Sequence, residues 1–316
     1  MTWRDIFPPM SRGGRRFLAN RGAVAGAVIV AALVAIALVA PMLSANPLAT
    51  DVEHGLSALG APLAPTSSGP VLGTDQLGRD EWARVVAGTG SSLSIAGIAT
   101  LIALAIGLAV GLGAGYAGGA IDNALMRLVD LVQAFPFVLL AILLAALFRE
   151  ANLASSNAPA FLTIGLVSWT TMARLIRGKA RVLAGSDMIT AARAIGVGPG
   201  RLMVRYVLPN VAGTVIAVTA LGFAQNLLAE AVLSYLGLGP APPTPTWGHM
   251  LYEGRAYYRT APHLVLVPGA AILLAVVGFN LIAEGLREAF DPAAWPRAWP
   301  RAWPRDRPST GPKDRR

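Results

Sequence analysis

The sequence contains no cysteine, and only 14% of its residues are charged. Without cysteine the chain can form no disulfide bond, thiolate metal site or cysteine nucleophile. A soluble domain usually has about 25% charged residues, so the low charge content is typical of a membrane protein. The 54% hydrophobic content and the mean hydropathy of +0.56 favour the same class.

Patterns for nucleotide binding, catalysis and metal binding are also missing from the sequence. No G-x-x-x-x-G-K-[ST] phosphate loop occurs, so we expect no ATP site of that kind and no cofactor bound by this chain. The three histidines, His54, His249 and His263, are far apart and belong to no metal-ligand or Ser/His/Asp pattern. These absences predict no metal site and no enzyme activity of the chain itself.

Long apolar runs dominate what is present. A bilayer is crossed by about 20 apolar residues, and such runs must be helical because lipid offers the backbone no hydrogen bonds. The first run follows a basic segment, but it exceeds the roughly 7–15 residues of a signal-peptide core. We interpret it as a retained first helix, with a cleaved signal as the alternative. The six predicted spans are 22–43, 91–116, 131–148, 158–175, 211–238 and 264–283.

The placement of basic residues predicts how the spans are oriented. With the N-terminus inside, 21 of the 26 lysines and arginines fall in cytoplasmic segments. Cytoplasmic loops carry such an excess, so we expect both termini in the cytoplasm. The same distribution accounts for the net charge of +9 without a nucleic-acid partner. The predicted divisions are a cytoplasmic segment 1–21, a transmembrane domain 22–290 and a low-complexity, disordered tail 291–316 with a repeated A-W-P-R motif.

One polar stretch between spans, within the predicted cytoplasmic loop 176–210, has the pattern of a short helix. Ser186 or Asp187 supplies an N-cap acceptor, and Gly196 follows where a left-handed C-terminal residue is expected. A helix over 187–196 would place Met188, Ala191, Ala192 and Ile195 on one face. Two turns are marginal alone, so this helix needs tertiary support or a partner. An ordinary re-entry loop is the alternative.

The residues TAARAIG, a spacer and YVLPN resemble the EAA motif of permease subunits of bacterial ATP-binding-cassette (ABC) importers. In that family the element is a coupling helix that docks on the ATPase subunit. Thr190 stands where the general motif has glutamate. The resemblance implies ATPase coupling through Asp187, Thr190, Ala191, Ala192, Arg193, Gly196, Leu208 and Pro209.

The likeness is collinear over about 70–290 and is specific for the DppC/OppC type, the dipeptide, oligopeptide and nickel permeases. It is carried by GTDQLGRD at 73–80, DLVQAFPFVLLA at 130–141 and LSYLGLGPAPPTPTWGHML at 233–251. It implies an all-α type I permease fold in the bacterial inner membrane. The implied partners are a second permease subunit, one or two ATPase subunits that bind ATP and magnesium, and a solute-binding protein.

Two further groups of residues are predicted from these stretches. Contact with the binding protein is expected at Gly73, Asp75, Gly78, Arg79, Asp80, Pro243, Trp247 and Gly248. In the fifth span, Gln225, Asn226 and Glu230 are polar at membrane depth, and such groups usually face an interior or water. One interpretation is that all three line a passage. The alternative for Glu230 is a position near the outer interface, close to Ser234, where it packs against the partner subunit.

The sequence leaves two matters open. A self-contained secondary transporter is the alternative function, although it would need coupling-ion groups and matched broken helices that the sequence does not display. The transported solute also stays open, because selectivity resides largely in the binding protein. Dipeptides, oligopeptides, nickel, glutathione and other small solutes are the candidates.

In the second span, Gly107 and Gly111 are spaced for close helix packing.

Overall fold

The structure is a computed structural model that describes residues 10–43, 46–65, 70–148, 150, 157–240 and 243–290. The predicted tail 291–316 and residues 1–9 of the predicted N-terminal segment lie outside these ranges. Within them the long elements are all helical, and β pairing is confined to two isolated bridges. The α-helices are α1 (Met10–Ala19), α2 (Arg21–Leu43), α3 (Glu81–Ala117), α4 (Gly119–Gln133), α5 (Phe137–Phe148), α6 (Ala158–Ala184), α7 (Asp187–Ala194), α8 (Pro199–Leu202), α9 (Leu208–Tyr235), α10 (Trp247–Gly254) and α11 (His263–Phe290).

Five single stretches of helix in the described residues are long and apolar enough to cross a membrane. They contain α2, α3, α6, α9 and α11, and they match five of the six predicted spans. A sixth span exists if α4 and α5 cross the membrane together. The prediction of an all-helical membrane fold is therefore confirmed.

The third predicted span, 131–148, is not one continuous helix. It begins inside α4, and α4 and α5 meet at an angle of 88° across the break at residues 134–136. Pro136 stands in that break, where its missing N–H and its ring prevent an uninterrupted helix. The chain therefore turns sharply at this point, and the turn helps to form a cavity described below.

Helix α3 begins ten residues before the predicted start at residue 91. Asp80 caps it, since the side-chain carboxylate accepts a hydrogen bond from the Trp82 backbone N–H at 2.9 Å. The added turns contain Glu81 and Arg84, whose charges argue against a span when only the local sequence is considered. Both side chains are buried, and Arg84 is compensated by Asp75 in the preceding loop and by Glu253 far along the chain.

A stripe of glycines lets α3 and α6 pack with their backbones close together. A Cβ atom on Gly107 would lie 2.7 Å from Met172 Cβ, and one on Gly111 would lie 2.7 Å from the Ala173 carbonyl oxygen. The stripe continues at Gly115, where a Cβ would lie 2.7 Å from the Arg177 carbonyl oxygen. The predicted close packing at Gly107 and Gly111 is confirmed, and it leaves no room for a side chain between the two helices at these positions.

The start and the end of the described helices lie at the same end of the bundle. Asn20, just before α2, donates to Glu288 of α11 at 2.7 Å. Phe290, the last residue of α11, packs against Gly213 near the start of α9. Helix α7 is at this end too, because Ile189 shares a hydrophobic cluster with Val211. We call this end of the bundle the α7 end. The opposite end carries α10, and we call it the α10 end.

Candidate functional site

The short helix predicted between two spans is present as α7. Ser186 occupies the N-cap position with extended backbone angles, but its side chain makes no capping hydrogen bond. The hydroxyl instead donates to the Leu183 carbonyl oxygen at 2.7 Å, and the Thr190 hydroxyl donates to the Ser186 carbonyl oxygen at 3.1 Å. The expectation of a side-chain acceptor at Ser186 was therefore wrong, because its hydroxyl is engaged with the end of α6.

The face of α7 that packs on the bundle differs from the predicted one. Ile189 and Ala192, three residues apart, are buried against the hydrophobic cluster at this end. Ala191 and Ile195 point outward, and Ile195 is 81% exposed. The predicted stripe of Met188, Ala191, Ala192 and Ile195 is therefore divided between two sides. Periodicity identified the helix but did not distinguish its anchored side from its free side.

The end of α7 follows the prediction. Gly196 has φ of +84°, the left-handed conformation expected after the helix, and no atom lies where its Cβ would be. The chain then passes through α8 and one π-helical turn, Met203–Val207, into α9. Leu208 and Pro209 form the first turn of α9, where a proline is well tolerated.

Large apolar side chains are exposed on α7 and on the elements that precede and follow it in the chain. Besides Ile195, they are Val182 near the end of α6 and Val204 in the π-helical turn, which are 75% and 67% exposed. Asp187 and Arg193 are exposed polar residues on α7, and the Arg193 guanidinium lies 5.8 Å from the ring centre of Tyr116. The sequence did not single out Val182 or Val204 as candidate residues, since neither belongs to the motif. Helix α7 and its neighbours in the chain thus expose large apolar side chains as well as the charged Asp187 and Arg193.

At the α10 end, two loops that are distant in sequence are joined by buried ion pairs. Arg79 Nε lies 2.5 Å from Asp75 Oδ2, and Arg84 Nη1 lies 3.3 Å from the same oxygen. Arg79 Nη2 also lies 3.0 Å from Glu253 Oε1 of α10, and Arg84 Nη2 pairs with Glu253 Oε2. This ion-pair network, Asp75, Arg79, Arg84 and Glu253, fixes the segment before α3 to α10.

The sequence did not indicate a role for Glu253. Its part in the ion-pair network is visible only from its position in the structure. Burial acts to raise the pKa of Glu253, but contact with His249 and the charges of Arg84 and Arg79 outweigh burial and hold the pKa at about 2. The carboxylate is therefore ionised at neutral pH. The local sequence shows only His249 of its partners, because the two arginines are more than 160 residues earlier in the chain.

The residues predicted to contact a binding protein are mostly buried. Trp247 is 0% exposed, its backbone N–H donates to Ser92 Oγ at 3.1 Å, and its indole N–H donates to the Val85 carbonyl oxygen at 3.2 Å. Gly248 packs on α9, where a Cβ would lie 2.6 Å from the Ala231 carbonyl oxygen.

The rest of this group are also largely held inside the loops. Gly73 and Gly78 have positive φ angles and lie against neighbouring backbone, while Asp75 and Arg79 belong to the ion-pair network. Asp80 is half-buried as the cap of α3, and Pro243 is exposed. These residues shape the surface at the α10 end, and direct contact with a binding protein stays a prediction.

The three polar residues of the fifth predicted span lie on two sides of α9. Asn226 and Glu230 face the interior of the chain, as their spacing predicted, with Asn226 Nδ2 donating to Thr100 Oγ1 at 3.0 Å. Ser234 Oγ donates to Glu230 Oε1 at 2.7 Å, and Glu230 is 1% exposed. Glu230 therefore faces the inside of this chain, away from any partner surface. Gln225 is exposed.

Gln225 and Asn226 help to line a cavity of about 660 Å³ between α6, α9 and the break that separates α4 from α5. Ser168 and Thr171 of α6 line it as well, Gln133 comes from the end of α4, and Phe135 comes from the break. Glu230 is not among the residues of its wall. Of the three candidate pathway residues, the structure thus brings two to one cavity.

Comparisons with known proteins agree with this arrangement. A model of the family described as "Binding-protein-dependent transport system inner membrane component" matches residues 107–296. A second, described as "N-terminal TM domain of oligopeptide transport permease C", matches residues 8–65. The inward-facing MetNI methionine ABC transporter is similar in structure with a TM-score of 0.54, over 66% of this chain and 96% of that one, at 18% identity.

Curated relatives cover nearly the whole chain. It is 38% identical over 278 residues to the oligopeptide transport system permease protein OppC of Escherichia coli (strain K12), covering 88% of this chain and 89% of the relative. It is 37% identical to the dipeptide permease DppC of Alkalihalophilus pseudofirmus, covering 92% and 90%. It is 36% identical to the glutathione permease GsiD of Pectobacterium atrosepticum, covering 92% and 91%.

Fold and relatives define a multi-pass inner-membrane permease with the type I fold of ABC importers. Within that class, the chain belongs to the family of binding-protein-dependent transport system inner membrane components, and it is of the OppC and DppC type. The resemblance inferred from the sequence is confirmed.

Proposed function

We propose that the chain forms half of the translocation pathway for di- or oligopeptides or a similar small solute, and that a separate ATPase drives it through α7. The names of the relatives support the choice of solute, since OppC, DppC and GsiD are permeases for oligopeptides, dipeptides and glutathione. The observation that carries the coupling is the exposure of Ile195 at the end of the EAA-like helix, together with exposed Val182 before it and Val204 after it in the chain.

Helix α7 is suited to transmit movement because its two sides do different things. Ile189 and Ala192 anchor it in the same cluster as Trp169 and Met172 of α6. Ile195 and Ala191 on the free side are available to an ATPase groove. When the ATPase closes on ATP, displacement of α7 carries α6 and its close partner α3 with it. ATP then shifts the permease between two access states through its different affinity for each.

The remaining parts follow from this arrangement. The α7 end faces the cytoplasm together with both termini, in line with the distribution of basic residues. A second permease subunit covers the exposed apolar residues of α4, α5 and the break between them, which include Leu131, Phe135 and Leu139. A solute-binding protein delivers its cargo to the α10 end. ATP and magnesium bind to the ATPase subunits and not to this chain, which is not itself an enzyme.

The test is uptake of radiolabelled trialanine into proteoliposomes that contain the complete complex with its binding protein. Uptake is expected only when ATP is present on the side of the membrane that carries the ATPase subunits. An imposed proton or sodium gradient should not replace ATP. Uptake driven by an ion gradient without ATP would instead establish the chain as a secondary transporter.

A matched pair of glycine variants tests the role of α7. Gly196→Val is strained because φ is +84°, whereas Gly198→Val is compatible with φ of −64°, and neither Cβ would meet another atom within 4 Å. We expect Gly196→Val to lose ATPase co-purification while it still inserts in the membrane, and Gly198→Val to retain both. Normal co-purification and uptake by Gly196→Val would contradict the docking role.

A further inference from the structure

The cavity beside the helix break lies near the middle of the predicted membrane-spanning region. Ser168 and Thr171 stand about halfway along α6, and Gln225 stands in the central part of α9. The volume of about 660 Å³ is within the range of roughly 300–1,000 Å³ that small-molecule sites occupy. It is therefore large enough for a segment of a small solute and is placed where a solute would pass.

Four polar side chains of the wall have free hydrogen-bonding groups. Among the described residues no hydrogen-bond partner is found for the side chains of Gln133, Ser168, Thr171 and Gln225. The two amides each offer two donors and an acceptor oxygen, and each hydroxyl can donate and accept. By contrast, Asn226 and Thr170 of the same wall are already engaged within the chain. The free groups are therefore available to a ligand.

All residues that this chain contributes to the wall are uncharged, and Phe135, Pro136 and Phe137 add apolar surface. A charged group brought into such a place loses water without gaining a counter-charge, which is costly. An uncharged amide loses less, and the free amides and hydroxyls can satisfy both its N–H and its carbonyl oxygen. The wall thus matches the backbone of a peptide better than its charged termini.

We propose that this cavity binds the peptide-bond amides of the passing solute, with Gln225 and Thr171 as hydrogen-bonding residues. The proposal rests on the proposed transport function and narrows its solute to a class that contains peptide bonds. A bare divalent cation is disfavoured, since the wall supplies no carboxylate or imidazole ligand and the described residues contain no cluster of three such groups. The same groups suit many peptides because every peptide bond offers the same donor and acceptor.

The experiment uses proteoliposomes of the complete complex. It compares uptake of trialanine with uptake of its analogue that is methylated at the backbone nitrogen of the central alanine. Methylation removes one N–H donor, and the ratio of the two uptake rates measures the preference for it. The binding protein contributes equally to wild type and variant, so a change in the ratio between them reports on the permease. Gln225→Leu should lower the ratio roughly fivefold, as expected for the loss of about one hydrogen bond.

Thr171→Val, which is nearly isosteric, provides a second variant should Gln225→Leu fail to assemble, and it should also lower the ratio. Leu221→Ala is the control, because Leu221 is exposed one turn earlier on α9 and is outside the wall. Unchanged ratios in variants that assemble and transport would overturn the cavity assignment and leave the transport function intact. Absence of ATP-dependent trialanine uptake by wild type would overturn the proposed function itself.

Discussion

Arg79 Nη2 lies 3.0 Å from Glu253 Oε1, although the two residues are 174 positions apart in the chain. The contact joins the segment before α3 to α10. Arg84 pairs with the second oxygen of the same carboxylate, and Asp75 lies against both arginines. Because every charge in this network has a partner nearby, removal of one leaves another buried without compensation.

Replacing Glu253 should therefore destabilise the protein strongly. We expect Glu253→Gln to lower the free energy of unfolding by about 3–5 kcal/mol, the usual cost of breaking a buried pair on one side. Thermal unfolding of the purified protein in detergent measures this. Asp130→Asn is the control, since Asp130 pairs with Arg174 where the side chains are 67% and 50% exposed, and such a pair contributes about 1 kcal/mol or less. Equal effects of the two variants would contradict a structural role for the network.

The same carboxylate predicts a pH dependence. The pKa of Glu253 is lowered from 4.5 to about 2, so the unfolded chain binds a proton more readily than the folded one. The stabilisation is complete above pH 4.5 and is lost as the pH falls toward 2. The difference in melting temperature between wild type and Glu253→Gln, measured between pH 7 and pH 3, should become smaller toward the acidic end. A constant difference across that range would show that the ionised carboxylate is not the source of the stability.

The close packing of α3 on α6 predicts opposite behaviour for two glycines. A Cβ on Gly111 would lie 2.7 Å from the Ala173 carbonyl oxygen, so Gly111→Ala forces the helices apart and should lower the melting temperature. Gly178 of α6 has no atom within 4 Å of such a Cβ. Gly178→Ala should leave stability unchanged or raise it by up to about 1 kcal/mol, because alanine favours the helix. A stable Gly111→Ala protein would argue against the close contact.

The orientation of the chain can be tested directly because the sequence has no cysteine to remove. A cysteine introduced at Arg193 should react with an impermeant maleimide only after the cells are permeabilised. One introduced at Leu59, which is 95% exposed toward the other end, should react in intact cells. The reverse pattern would place the α7 end outside and overturn the proposed coupling.

The local sequence predicted the spans well because apolar length decides them. It failed where distant residues decide the structure. Arg84 looks too polar for a span until Asp75 and Glu253 are seen beside it, so the start of α3 was placed too late. Pro136 gave a usable signal for the break in the third span. The prediction of a single span rested on the continuous apolar run and did not use this proline.

The candidate sites show the same division. The glycine after α7 was predicted correctly, because a left-handed residue at a helix end has a local cause. The side of α7 that packs on the bundle was not, because Ile189 and Ala192 are buried by residues of other helices. The cavity also arises from three separate elements, so its wall could not be assembled from the spacing of Gln225 and Asn226 alone.

Photo-crosslinking from position 195 tests the central claim most directly. Ile195 is 81% exposed on the free side of α7, and it is replaced by a photoreactive phenylalanine analogue in cells that express the complete complex. The same analogue at Leu59 serves as the control. We expect an ultraviolet-dependent adduct with the ATPase subunit from position 195 and none from position 59. An adduct with the ATPase from position 59, or none from position 195 in a complex that transports, would contradict the central claim.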